Sequence, residues 1–379
     1  MMRQAFVNCR LLDKDALLAG QAVIIDGDTI SAVEPEAQLP EGLPRHDLGG
    51  AILSPGLIDI QVNGGGGVLF NDMPTADGIR AIGAAHARTG TTGFLPTLIS
   101  TDLNTTARAL DAVYAAIAAQ VPGVLGIHIE GPFLSGSRKG IHDAAQLQPL
   151  GPEALSLLTQ PRRGRVLLTL APEIVPAATI RTLADAGVLV CAGHSDADFG
   201  TVRQALDAGL RGFTHLFNAM SQLTSRSPGM VGAALEDKES WCGLIVDGHH
   251  VHPASLRVAL AAKGIDKLML VTDAMPSVGA TSKDFQLQGR SITVKDGICR
   301  DANGTLAGSD LDMISAVRNS MAMMGVSLAE AIQMASGNPS AFLRLPDRAI
   351  APGHRADFIV LDDACRVLET WIGGQRQDG

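Results

Sequence analysis

Apolar and polar positions alternate with two different periods along this chain, and their order predicts its architecture. Residues 5–12, 21–25 and 29–33 alternate every second position and are split by turn signals such as Asp26-Gly27-Asp28, the pattern of short half-buried strands. Residues 356–361 and 367–372 repeat that pattern near the C-terminus, with Gly373-Gly374 as a turn. The two ends of the chain are expected to pair as a small β-sandwich domain, residues 1–52 together with 347–379.

Between these ends, residues 53–346 alternate strand-like and helix-like runs. Strands are predicted at 57–62, 93–99, 124–130, 166–170, 188–194, 212–217, 243–247 and 267–273, eight in all. Helical spacing falls between most of them, for example at 76–88, 103–119, 177–186, 201–208 and 253–262, with Gly90, Gly187, Gly209 and Gly264 as C-terminal stop signals. This order requires a parallel sheet with crossover helices, and eight such units close most economically into a (β/α)8 barrel of the TIM type. An open doubly wound sheet would more often carry a glycine-rich phosphate loop after its first strand. The glycine run at 64–67 lacks the G-x-G-x-x-G context and is read as a flexible loop.

Composition narrows the classes of function. A chain of 379 residues with 46% apolar and 18% charged residues can bury a large core, and few aromatics suit helices packed on a sheet. A formal net charge of -9 argues against nucleic-acid or anionic-membrane partners. The five cysteines are scattered, without a C-x-x-C pair, which points to a reducing cytoplasm. Residues 1–12 run directly into strand-like sequence rather than a leader, and no apolar run reaches the roughly 18 residues of a membrane span. A soluble, cytoplasmic protein is expected.

In such a barrel the chemistry lies at the C-terminal ends of the strands, where several polar groups collect. The segment V-L-G-I-H-I-E-G-P-F ends an apolar strand on Glu130, with His128 deeper on the same face. His194 and His215 sit at corresponding heights on the fifth and sixth strands. One strand-end histidine is more often a satisfied core residue, but three such groups at one rim suit a catalytic zinc site with an open position, or ferrous iron. Asp273 ends the eighth strand and reads either as a helix cap or as a general base that moves a proton from water to a leaving amine. His142, shortly after Glu130, is placed to overhang the site and hold a carbonyl oxygen.

The ordered set H-I-E-G-P-F (128–133), K-G-I-H (139–142), G-H-S (193–195), T-H-L-F-N-A-M (214–220), D-G-H-H (247–250), V-T-D-A (271–274) and L-A-G-S (306–309) resembles N-acetylglucosamine-6-phosphate deacetylases of the amidohydrolase superfamily. The resemblance spans nearly the whole chain. It implies Glu130, His194 and His215 as metal ligands, Asp273 as the acid/base and His142 as the carbonyl polariser. It also implies sugar-phosphate contacts from Asn218, Ala219, Arg226 and His250, with backbone help near Ile141 and from Leu306, Ala307 and Gly308.

Arg226 offers a planar fork for an oxyanion in an acidic protein, and its bland reading is a solvated loop arginine. Asn218-Ala219 could present backbone N–H groups to a phosphate, or Asn218 could simply close a turn. Of the histidine cluster, His250 is expected to touch ligand and His252 to start a helix beside Pro253, while His249 has no assigned role; His128 is expected behind the site. Many amidohydrolases place H-x-H at the end of the first strand, where this chain has Gln61-Val62-Asn63, and strand four carries no lysine for a carbamate bridge. Gln61 and Asn63 would then mark a vacant second metal position, filled by water, leaving one divalent metal per subunit, Zn2+ or else Fe2+ or a related ion.

These readings converge on hydrolysis of the acetamide of an amino-sugar phosphate, N-acetyl-D-glucosamine 6-phosphate, to acetate and glucosamine 6-phosphate. The galactosamine epimer or another N-acyl amine is the alternative. A cyclic-amide hydrolase is disfavoured by the missing H-x-H and lysine, and an inactive scaffold by the intact ligand set. The resemblance further suggests a homodimer in which the Arg226 loop could reach a neighbour's site.

Overall fold

In the computed structural model, which describes residues 3–377, the eight expected strands line up in chain order. They are β1 (Leu57–Val62), β2 (Thr91–Ile99), β3 (Gly126–Glu130), β4 (Arg165–Leu170), β5 (Leu189–Ala192), β6 (Gly212–Phe213), β7 (Trp241–Leu244) and β8 (Leu268–Leu270). Each pairs in parallel with the next, making one eight-stranded sheet. The ends of that sheet meet through a parallel bridge between Val62 and Ala274 and a bond from Asp273 N to the Gln61 carbonyl at 3.0 Å. The (β/α)8 barrel is therefore present. Residues 1, 2, 378 and 379, which belong to the expected terminal domain, lie outside the described residues.

The helices begin and end where local chemistry dictates. Thr75, Asp102 and Asp198 each accept a backbone N–H at the start of Ala76–Ala87, Leu103–Ala118 and Phe199–Asp207. His252 caps Pro253–Lys263 through its own ring, so its expected helix-start role is what forms. Leu and Ile positions of these helices pack on the outer face of the sheet in one apolar core that includes Ile79, Ile82, Leu110, Val113 and Ile180.

The chain ends build two further sheets. One orders Thr29–Pro35, Gln21–Asp26, Gln4–Val7 and Arg45–Asp47; the other contains Ala16–Ala19, Arg10–Asp13, Ile52–Pro55, Phe358–Leu361, Val367–Ile372 and Gln375–Arg376. Phe6, Val23, Ile25, Leu53, Phe358 and Trp371 fill the core between them. Ile52–Pro55 pairs within this layer, so the strand straddles residue 52.

Two features depart from the sequence reading. The glycine run is no flexible loop: Gly64–Gly65 pairs with Val68–Leu69 across Gly66 and Gly67, whose φ values of 63° and 84° form a tight primed turn. A four-stranded antiparallel insert, Phe285–Leu287, Arg290–Lys295, Ile298–Arg300 and Leu306–Ser309, also separates β8 from its helix Met313–Met324. Both hairpin turns of its first three strands, Gln288-Gly289 and Asp296-Gly297, have positive φ at both residues.

Candidate active site

Strands β5, β6 and β8 stop before the residues of interest. His194, His215 and Asp273 follow them with φ of 49°, 33° and 54°, a left-handed backbone that L-residues adopt at a cost. This twist ends the ladder and turns the three side chains over the barrel mouth. Glu130 is instead the last residue of β3.

There the expected groups meet. Glu130 Oε1 lies 2.9 Å from His215 Nε2 and 3.3 Å from His194 Nε2, and the two imidazole nitrogens are 3.0 Å apart. All three residues are buried. Tetrahedral zinc with bonds of about 2.0–2.1 Å holds its ligand atoms roughly 3.3 Å apart. The triangle fits such an ion, and the three groups could hold a metal. His194 Nδ1 is bound to the Arg138 carbonyl at 2.9 Å, an arrangement that turns its Nε2 lone pair inward. Burial alone would raise the Glu130 carboxyl, but the adjoining His194 and His215 rings outweigh it and hold Glu130 well below the ordinary range.

Asp273 faces this triad. Burial, then the Glu130 charge, pushes its carboxyl up to about 6, close to where a proton can be both taken and returned near neutrality. Its Oδ1 accepts from Asn63 Nδ2 at 2.6 Å and Gln61 Nε2 at 3.1 Å, and the same Gln61 nitrogen donates to Glu130 Oε1 at 3.1 Å. His142 closes the other side, its ring edge-on to His194 with centroids 4.5 Å apart. Burial, then the neighbouring His194, lowers its pKa to about 3, so the imidazole is neutral.

These side chains line a cavity of about 390 Å³, which also takes in Asn63, Ile141, Asn218, Ala219, His250, Leu306 and Gly308. His250 Nδ1 lies 2.6 Å from Asp247 Oδ2, which orients its ring. Asn218 turns its amide nitrogen back on the His215 and Leu216 carbonyls at 3.2 and 3.3 Å, the turn-closing reading. Ala307 is buried behind the wall formed by its two neighbours. Gln61 lies beneath the floor, tied to both carboxylates. Arg226 is not brought in: it is exposed on the segment between Ala219 and Gly229 and is absent from the cavity wall. His249 is exposed, and His128 is buried deeper, bonded to Thr169 Oγ1 at 2.8 Å. Ser137, Arg138, Ile245, Met275, Leu287 and Thr305 also line the cavity and were missed; Leu287 and Thr305 come with the insert, which the Asp296-Gly297 turn signal between two alternating runs could have revealed.

A parallel barrel with a histidine–carboxylate cradle at its rim and a carboxylate of raised proton affinity beside it is the build of a metal-dependent hydrolase. The chain belongs to the amidohydrolase family, whose model matches residues 52–376, and residues 4–53 match the NagA composite domain. It is a hydrolase acting on an amide. It is 46% identical over 333 residues to an N-acetylgalactosamine-6-phosphate deacetylase of Shewanella sp. (strain ANA-3), covering 88% of this chain and 84% of that one. It is 34% identical over 379 residues to the N-acetylglucosamine-6-phosphate deacetylase of Haemophilus influenzae, with 99% of each covered. The crystal structure of N-acetylglucosamine-6-phosphate deacetylase from Pasteurella multocida superposes with a TM-score of 0.96 at 34% identity, each chain covered in full at 100%.

Proposed function

We propose that this enzyme hydrolyses the acetamide of N-acetyl-D-glucosamine 6-phosphate, releasing acetate and D-glucosamine 6-phosphate in amino-sugar catabolism. The observation that carries the reading is Asp273, protonable near neutrality, set across one cavity from the Glu130–His194–His215 cradle. One divalent ion per subunit, Zn2+ with Fe2+ as the other fit, would be held by those three residues and would supply Lewis acidity that acidifies water and polarises a carbonyl. Gln61 and Asn63 both engage Oδ1 of Asp273, which leaves Oδ2 to take a proton from the attacking water and return it to the leaving amine. The neutral His142 ring holds the carbonyl oxygen as negative charge develops on it. His250, Ala219 and the edge formed by Ile141, Leu306 and Gly308 surround the sugar phosphate.

Arg226, lying outside its own cavity, acts in this reading on the phosphate in a neighbour's site, within a homodimer. The five cysteines are free and buried, which supports a reducing, cytoplasmic setting. No helix among the described residues is long and apolar enough to cross a membrane.

A second reading has its own support: the 46% identical relative acts on the galactosamine epimer. Measuring kcat/KM of the zinc-loaded enzyme on both N-acetylhexosamine 6-phosphates decides between them. A higher value for the glucosamine substrate is expected, the reverse order assigns the epimer, and no acetate release from either overturns the deacetylase reading.

A further inference from the structure

The groups behind His142 bear on how it works. Its ring is 2% exposed, and Nδ1 lies 2.7 Å from Ser100 Oγ and 3.4 Å from Ser100 N. A backbone N–H can only donate. Nδ1 is therefore the acceptor, the Ser100 hydroxyl must also donate to it, and the proton of the neutral ring is left on Nε2. That is the tautomer a carbonyl polariser requires, because only an N–H can stabilise an oxyanion.

The hydroxyl is held in place from two sides. Ser100 directly follows β2, and a Cβ on Gly131, the residue after Glu130, would lie 2.3 Å from its Oγ; only glycine there leaves room for it. From the insert, the Gln288 side chain donates to the Ser100 carbonyl at 2.9 Å and accepts from Asp143 N at 2.9 Å. One amide thus ties the end of β2 to the residue following His142.

We propose that Ser100, clamped to the His142 loop by Gln288, is a positioning residue that fixes His142 as its Nε2–H tautomer. The role rests on the deacetylase reading of His142, but the tautomer can be observed without substrate. Zinc-loaded protein labelled with 15N-histidine, with His142 identified by its loss in His142→Gln, gives the tautomer from long-range 1H–15N correlations. The Nε2–H pattern is expected in the wild type, and an Nδ1–H admixture in Ser100→Ala. In the same variant kcat should fall about tenfold, less than the loss of an oxyanion donor itself, with KM and zinc content nearly unchanged. Gln288→Ala should lower kcat severalfold by loosening the loop. An Nδ1–H pattern in the wild type overturns the proposal, as does Ser100→Ala with unaltered tautomer and kcat. A tautomer shift in a protein that proves inactive on both amino-sugar phosphates would sustain the positioning role and reject the deacetylase reading instead.

Discussion

The Thr272 hydroxyl donates to Asp59 Oδ2 at 2.5 Å, joining the last barrel strand to the first one position before Asp273. The other Asp59 oxygen accepts from Gln61 N at 3.1 Å and Thr272 N at 3.3 Å. Burial nonetheless raises the Asp59 carboxyl to about 7, despite these donors. A carboxyl raised above its unfolded value, normally near 4, contributes stability that is complete below that value and is lost as pH rises through about 7. The Asp59 contribution to the wild-type melting temperature should therefore fall between about pH 4 and 7, each pH unit being worth at most about 1.4 kcal/mol. Asp59→Asn should flatten that decline, as calorimetry across the range would show. Parallel curves for the two proteins would place the titration elsewhere.

Asp273→Asn keeps the shape of the side chain and removes its ability to carry a proton. Turnover should drop about a thousandfold, within the range typical of a lost general acid–base group, while zinc content stays at the wild-type level because the three ligands are untouched. Acetate release and elemental analysis on one preparation separate the two effects. Near-normal turnover would remove Asp273 from its role.

The barrel could be read from residues because its signals are local. The β1 span matches the sequence pattern from Leu57 to Val62, and glycines 90, 187, 209 and 264 all have positive φ where helices were expected to stop. Strands β5, β6 and β8 ended earlier than the apolar runs because His194, His215 and Asp273 adopt a left-handed backbone, which no side-chain pattern announces at a non-glycine residue. Glu130, His194 and His215 could be brought together on paper because parallel strands in register put their ends at one rim. Ser100 and Gln288 could not: they are 42 residues from His142 and 188 from Ser100 along the chain, and neither the end of an apolar strand nor a hairpin turn marks a partner that far away. The insert was legible in part, since Asp296-Gly297 between alternating runs is a hairpin signal.

The Gln61 side-chain nitrogen is 3.1 Å from both Glu130 Oε1 and Asp273 Oδ1, so one neutral amide already links the two carboxylates as a hydrogen-bond donor. Neutral amides compete poorly with imidazole for transition metals. Elemental analysis of the wild type should give one zinc per chain. The double variant Gln61→His, Asn63→His places an H-x-H pair at the end of β1 and should take up more than one. Two ions in the wild type, or no increase in the variant, would show that these amides do not set the stoichiometry.

Arg226 is exposed and outside the cavity of its own chain, so the proposed contact of this arginine with the substrate phosphate requires a neighbouring subunit's site. A guanidinium fork recognises a phosphate through paired charge-assisted hydrogen bonds, worth roughly 1.5–3 kcal/mol for contacts to charged groups. Arg226→Ala should therefore raise KM for the 6-phosphate about tenfold or more and change the rate on an unphosphorylated N-acetylhexosamine far less. Mixing this variant with Asp273→Asn gives the sharper test. In a heterodimer one site receives the intact arginine from the Asp273→Asn chain and keeps its own Asp273, so activity should recover as subunits exchange, and sedimentation should report a dimer throughout. Equal losses on both substrates, or no recovery on mixing, would confine Arg226 to a solvated loop.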